Sequence, residues 1–320
     1  MQGAKIARSS TPPRLADALT NLKKAVAGTD SVNGDAWYMM GDVYGEMDST
    51  GPMLTALGRA VTLNAGLAAK ADQLRIKPFL ARFHEGVEAF KRQDWSAAAK
   101  AFEASLAIRS DTTAILNADL AYHNLGDLAK AQRLAFLEKW AKEFPANYPI
   151  QMQYISALFD GTRIEPAVPI LVEMHKSHPD SMSVTLALAD AYTRLNRMSD
   201  AQPLYEIAEK RGADDIDVKR SLGDIYKKKE DWVKALKYYQ DVVGMKGAEP
   251  DDIYVLAVAA AKVENWALAN ETADKYLAVP KLTNDQQKYA WNIKAVSLAH
   301  LGKIKEGNDA QKKYEALGGK

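Results

Sequence analysis

An all-α fold, an alpha-alpha superhelix (solenoid) of stacked antiparallel helix hairpins, is the class this sequence predicts, on three observations. The first is a period. In residues 182–249, Leu188, Ala189, Tyr192, Ala201, Tyr205 and Ala208 recur thirty-four positions later as Leu222, Gly223, Tyr226, Ala235, Tyr239 and Val242. A fixed period of that length marks a helical array in which each unit buries its apolar face only against its neighbours. The second is that small and apolar residues within a unit fall at spacings of three, four and seven, the period of an amphipathic helix. The third is persistence: units opening at Tyr148, Met182, Ile216 and Pro250 carry Ala167, Ala201, Ala235 and Ala269 in step.

The chain opens on a unit that reads as truncated. Thr11-Pro12-Pro13 stops any preceding helix, and residues 14–28 then predict a helix with Ala18, Leu22 and Ala25 on one face, the spacing of the second helix of a unit. Gly3 and Ile6 stand at first-helix places, but ten residues are too few for that helix. Residues 1–33 are therefore expected to be mainly a second helix, either a natural half repeat or what remains of a chain whose N-terminal part, with any targeting segment, lies upstream.

The second unit, 34–67, has Trp37, Met40, Gly41 and Tyr44 on one helical stripe, followed after a turn by Met53, Leu57 and Ala60. An insertion, 68–78, keeps helical spacing through Leu67, Ala71 and Leu74 and is expected to lengthen a helix or add one. Units three and four fill 79–147. The third carries Gly86, Ala89, Ala98, Phe102 and Ser105, and the fourth Ala118, Tyr122, the turn Leu125-Gly126-Asp127 and Ala131. Phe144-Pro145 and Tyr148-Pro149 mark a joint, because a residue before proline is pushed out of helical geometry. Units five to eight occupy 148–287. The ninth, 288–320, has Trp291, Ala295, Leu298, Gly302 and Tyr314, and its polar second helix, 303–317, suits a terminal cap. All nine are expected to form one continuous solenoid domain.

Composition works by exclusion. Hydrophobic residues make up 47% and charged residues 26%, which is normal for a folded chain. With 42 basic and 41 acidic side chains there is no global field to attract a nucleic-acid backbone or an anionic membrane, so no nucleic-acid partner is expected. No apolar stretch approaches the roughly 18–20 residues of a membrane helix, so no membrane insertion is expected. Cysteine is absent, which removes disulfides, thiolate metal sites and cysteine nucleophiles together. It also leans toward an exported, periplasmic bacterial protein, with the cytoplasm as the other setting.

No phosphate-cradling glycine loop, His-Glu-x-x-His run or nucleophile elbow occurs. Asp214-Asp215 and Asp251-Asp252 precede helices and read as caps. His175 and His178 have the spacing of two ligands on one helical face, but they also stand at a helix end before Pro179, where such side chains cover free carbonyls. Neither a cofactor, nor a metal, nor catalysis is expected.

The repeated residues closely resemble the tetratricopeptide repeat family over about 34–317. The family pattern of a Trp, Leu-Gly and Tyr in the first helix and Ala, an aromatic and Ala in the second is met by Trp37, Gly41, Gly86, Leu222-Gly223, Tyr226, Ala235 and Tyr239, among others. Asp119 and Ile155 depart from it at the Gly/Ala place, so packing in units four and five is either looser or displaced by one residue in register.

The resemblance implies a non-catalytic scaffold whose concave surface, lined by the first helices, holds a peptide or partner helix. Projected onto this chain, that lining includes Phe83 and Phe90, His123, Phe159, and a basic zone of Arg194, Arg220, Lys227 and Lys228 beside Asp224. A peptide would anchor apolar side chains on the aromatics and place acidic ones near the cations. The competing reading assigns the aromatics to packing between repeats and Lys227-Lys228-Lys229 to a solvated helix end. A second function class, a helical recruitment or regulatory part of a larger, possibly cell-envelope, protein or complex, stays open with the truncated first unit.

Overall fold

The computed structural model describes residue 5 and residues 14–28, 30–212 and 214–319; Gly3, Ile6 and Thr11-Pro12-Pro13 lie outside the described residues. The described chain is built of α-helices without strands and falls into two compact units, Met1–Arg163 and Ile164–Lys320.

The first unit contains α1 (Leu15–Ala27), α2 (Gly34–Glu46), α3 (Thr50–Leu63), α4 (Ala68–Lys91), α5 (Trp95–Leu106), α6 (Thr112–Asn124), α7 (Lys130–Glu143) and α8 (Tyr148–Asp160). The expected insertion is continuous with the first helix of the third repeat, giving the 24-residue α4. The second unit contains α9 (Ala167–Ser177), α10 (Met182–Arg194), α11 (Met198–Lys210), α12 (Ile216–Lys228), α13 (Trp232–Gly244), α14 (Pro250–Lys262), α15 (Trp266–Leu277), α16 (Asn284–His300) and α17 (Ile304–Ala316). Consecutive helices pack as neighbours within each unit.

Two local devices repeat. The turn inside a hairpin places one residue in the left-handed region, and this happens without glycine at Asn196, Glu230 and Glu264, with φ of 59–61°. The next N–H bonds back five residues, as in Asp231 N to Tyr226 O at 3.0 Å and Asn265 N to Ala260 O at 2.8 Å. This satisfies carbonyls at the end of the first helix. That same residue often caps the following helix: the carboxylate of Asp231 accepts from Lys234 N–H, and the side-chain oxygen of Asn265 from Leu268 N–H.

The second device is close helix approach. A Cβ added at Gly41, Gly86 or Gly223 would lie 2.7 or 2.8 Å from Leu57, Phe102 and Tyr239 respectively, side chains that are themselves almost fully buried. Glycine at this place lets a large second-helix side chain lie directly against the first helix, filling space at interior density.

The fourth repeat corrects the periodic register. Its pattern places Ala131 at the hairpin interface, but Ala131 is exposed, whereas Ala129 is 2% and Arg133 4% exposed. A short 3-10 turn, Gly126–Ala129, precedes α7 and moves the buried stripe back by two residues, not one. The tighter winding of 3-10 geometry brings the following side chains round at a different angle. Arg133 thereby takes the place that Phe102 and Tyr239 hold elsewhere, and Asp119 the place of glycine. The two side chains, 5% and 6% exposed, pair at 2.6 Å from Nε to Oδ1. Arg133 also donates to Asp160 at 2.7 Å and to Gln153 at 3.4 Å. In the fifth repeat Ile155 is simply buried at the glycine place.

Candidate functional site

In the first unit, Phe83 and Phe90 stand two turns apart on α4 and are half-buried. Phe83 stacks on Phe79, with centroids 5.8 Å apart, and meets Phe102 edge-on at 5.4 Å; Phe90 meets Trp95 edge-on at 4.8 Å. Both rings thus belong largely to the hairpin core of α4 and α5, with part of each left at the surface. His123, near the end of α6, is exposed, and Phe159, near the end of α8, is half-buried. Leu80, one turn before Phe83, and Leu120, one turn before His123, are 42% and 44% exposed and extend the apolar surface beyond the residues that the pattern marks.

In the second unit, the cations of α10 and α12 are engaged. Arg194 donates to Asp190 at 2.9 Å. Lys227 bonds Asp224, and Lys228 bonds Asn196. Arg220 grips Asp252 with Nε and Nη2, each at 2.9 Å, and donates to Asp217 at 2.6 Å. Arg194, Arg220 and Lys227 are therefore paired charges, while Lys228 is an exposed cation on a neutral amide. Arg220 in particular joins α12 to α14, since Asp252 is 4% exposed and also accepts the Glu249 N–H at 2.8 Å.

Burial by itself pushes the Asp252 carboxyl up. The Arg220 hydrogen bonds, the Glu249 N–H and the guanidinium charge together outweigh it and hold the group below the usual carboxylate value. The sign for stability follows. A depressed folded value contributes stability that is fully present above the unfolded value of about 4 and lost as pH falls through the folded one. Urea unfolding at neutral pH and near pH 3 is expected to show Asp252→Asn losing less stability on acidification than the parent chain. Equal losses would remove Asp252 from the acid response.

Around these groups α12, α14 and α16 frame a pocket of about 420 Å³. Arg220, Asp224 and Lys227 line it from α12, as the projected pattern expects, together with Tyr239 from α13, whose hydroxyl donates to Asp224 at 2.7 Å. Burial, followed by that bond to a carboxylate, pushes the Tyr239 phenol well above its ordinary value and keeps it a donor. The rest of the wall is Glu249, Asp251, Asp252, Tyr254, Val255, Tyr276, Gln286 and Tyr289. The periodic pattern marks Tyr254, at the place Arg220 holds one unit earlier, but not the carboxylates. Asp251 and Asp252, expected before the helix, lie instead inside the first turn of α14, because the helix begins at Pro250 with Glu249 as its N-cap and Asp252 completing a capping box; Asp215 caps α12 by accepting from Asp217 and Val218 N–H. The further partnership of Asp252 with Arg220 spans 32 residues and has no local signal.

His175 faces the Thr185 hydroxyl, and His178 that of Ser177. Among the described residues no group of three or more His, Asp or Glu is placed to hold a metal, and no helix is long and apolar enough to cross a membrane.

A family model described as "Tetratricopeptide repeat" matches residues 220–252, the segment carrying Arg220, Gly223, Tyr239 and Asp252. PilF of Pseudomonas aeruginosa, a solved structure, aligns with a TM-score of 0.52 at 16% identity over 67% of this chain and 97% of that one, which shows a shared fold. A MamA structure (MSR-1) aligns with a TM-score of 0.43 at 20% identity over 52% of this chain and 95% of that one. No curated protein sequence matches the chain.

Proposed function

Because the chain is a member of the tetratricopeptide repeat family, we propose that it is a non-catalytic scaffold which holds an extended peptide segment of another protein on the face formed by its first helices. The observation that carries this reading is the pocket framed by three successive first helices, α12, α14 and α16, with tyrosine rings and charged groups side by side. An extended chain needs such alternation of apolar anchors and polar partners. On this reading Asp224, Lys227, Lys228 and Arg194 contact the peptide in the second unit, and Phe83, Phe90, His123 and Phe159 in the first. Arg220 acts chiefly by fixing the wall, since it is tied to the buried Asp252.

Selection of a random dodecapeptide display library on the full chain tests the proposal. Enriched peptides are expected to bind Tyr289→Ala about tenfold or more weakly than the parent, the scale of an interface anchor. Tyr289 is 51% exposed, so the substitution leaves the fold intact. Failure to enrich any sequence, or enrichment of peptides indifferent to first-helix substitutions in both units, would overturn it.

A further inference from the structure

The charges of the second-unit pocket do not balance. Six charged side chains line it: Arg220 and Lys227 against Asp224, Glu249, Asp251 and Asp252. Arg220 is paired with Asp252 and Lys227 with Asp224. Glu249 and Asp251 form no ion pair among the described residues; Glu249 caps α14 and adds to the field on Arg220, and the wall as a whole carries four carboxylates against two cations. Glu249 and Asp251 stand beside an aromatic cluster: the Tyr254 ring lies 5.5 Å from that of Tyr276 and 6.5 Å from that of Tyr289.

Ring faces carry negative quadrupole potential and attract ammonium and guanidinium groups. One face of Tyr289 already does so, with Lys288 at 5.3 Å from its centroid and held outside the pocket wall by Asp285 at 2.8 Å. A cavity with surplus carboxylates and tyrosine faces selects for positive charge and, by the same electrostatics, against glutamate or aspartate.

We propose that this pocket receives the lysine or arginine side chain of a bound peptide, its charge set against Asp251 and Glu249 and its stem against Tyr254 and Tyr289. This rests on the reading of the first-helix face as a peptide groove. It reverses the charge that Arg220 and Lys227 suggest by themselves, because Asp252 and Asp224 offset them.

The test uses the full chain and fluorescein-labelled decapeptides, acetylated and amidated at their ends, built from Ala, Ser and Val with one central Lys, Arg, norleucine or Glu. Fluorescence anisotropy is expected to show the Lys and Arg peptides binding about tenfold tighter than the norleucine peptide, with the Glu peptide weakest. In the Asp251→Asn/Glu249→Gln double variant, with its helical circular dichroism unchanged, this ranking should collapse to within about twofold. Equal binding of all four peptides, a preference for Glu, a ranking that survives in the double variant, or no binding by any of them would each overturn the proposal. Display-selected peptides that lose affinity for Tyr289→Ala yet carry no enriched Lys or Arg would overturn it while leaving the scaffold reading in place.

Discussion

Arg133→Ala is expected to destabilise the first unit by about 3–5 kcal/mol, the cost of leaving a buried charge without its partner. The Asp119 carboxylate, 6% exposed, is paired with the Arg133 guanidinium in the hairpin interface of α6 and α7. Removal of the cation strands it there in a low dielectric. The effect is readable as a lowered urea midpoint, and a loss below about 1 kcal/mol would show that water reaches Asp119 as it reaches an exposed pair. The double variant Asp119→Gly/Arg133→Phe puts glycine and an aromatic at the places where Gly86 and Phe102 meet. Replacing a buried ion pair by packed apolar groups is often neutral or stabilising. The double variant is therefore expected to recover most of the stability that the single one loses, although the Arg133 bonds to Asp160 and Gln153 go with it.

Tyr239→Ala is expected to cost about 3–5 kcal/mol, the range for emptying a large aromatic site in a packed core. The ring is 2% exposed and lies directly over Gly223, where even an added Cβ would come within 2.8 Å. Tyr239→Phe keeps the ring and loses only the hydroxyl bond to Asp224. Since Asp224 retains Lys227 and is 46% exposed, this variant should cost about 1 kcal/mol or less. The contrast separates packing from hydrogen bonding at one position, with denaturant midpoints as the readout. Comparable losses in the two variants would mean that the hydroxyl network, not the ring, holds α12 against α13.

The glycine and aromatic pairs were legible in the sequence because both members recur at a fixed period, and close packing of a hairpin requires that combination of sizes. The hairpin turns were legible in position but not in conformation. Asn196, Glu230 and Glu264 adopt positive φ without being glycine, so composition does not announce them. Only their thirty-four-residue spacing does. Of the candidate site, Arg220, Asp224, Lys227 and Tyr254 follow from projecting a first helix. Tyr276, Gln286, Tyr289 and the carboxylates of α14 do not, since their inclusion depends on how neighbouring hairpins stack.

The sequence by itself determined the helix pairs, the sites of close approach and the face on which first helices present their side chains. These follow from periodicity, side-chain size and capping chemistry, which act within a few turns of chain. Tertiary structure alone decided the two-residue displacement before α7, the burial of Arg133 against Asp119, and the electrostatic character of the pocket. An ion pair is set by distance in space: Arg220 has the exposed Asp217 within reach on its own helix, but its buried partner Asp252 comes to 2.9 Å only when the next hairpin stacks.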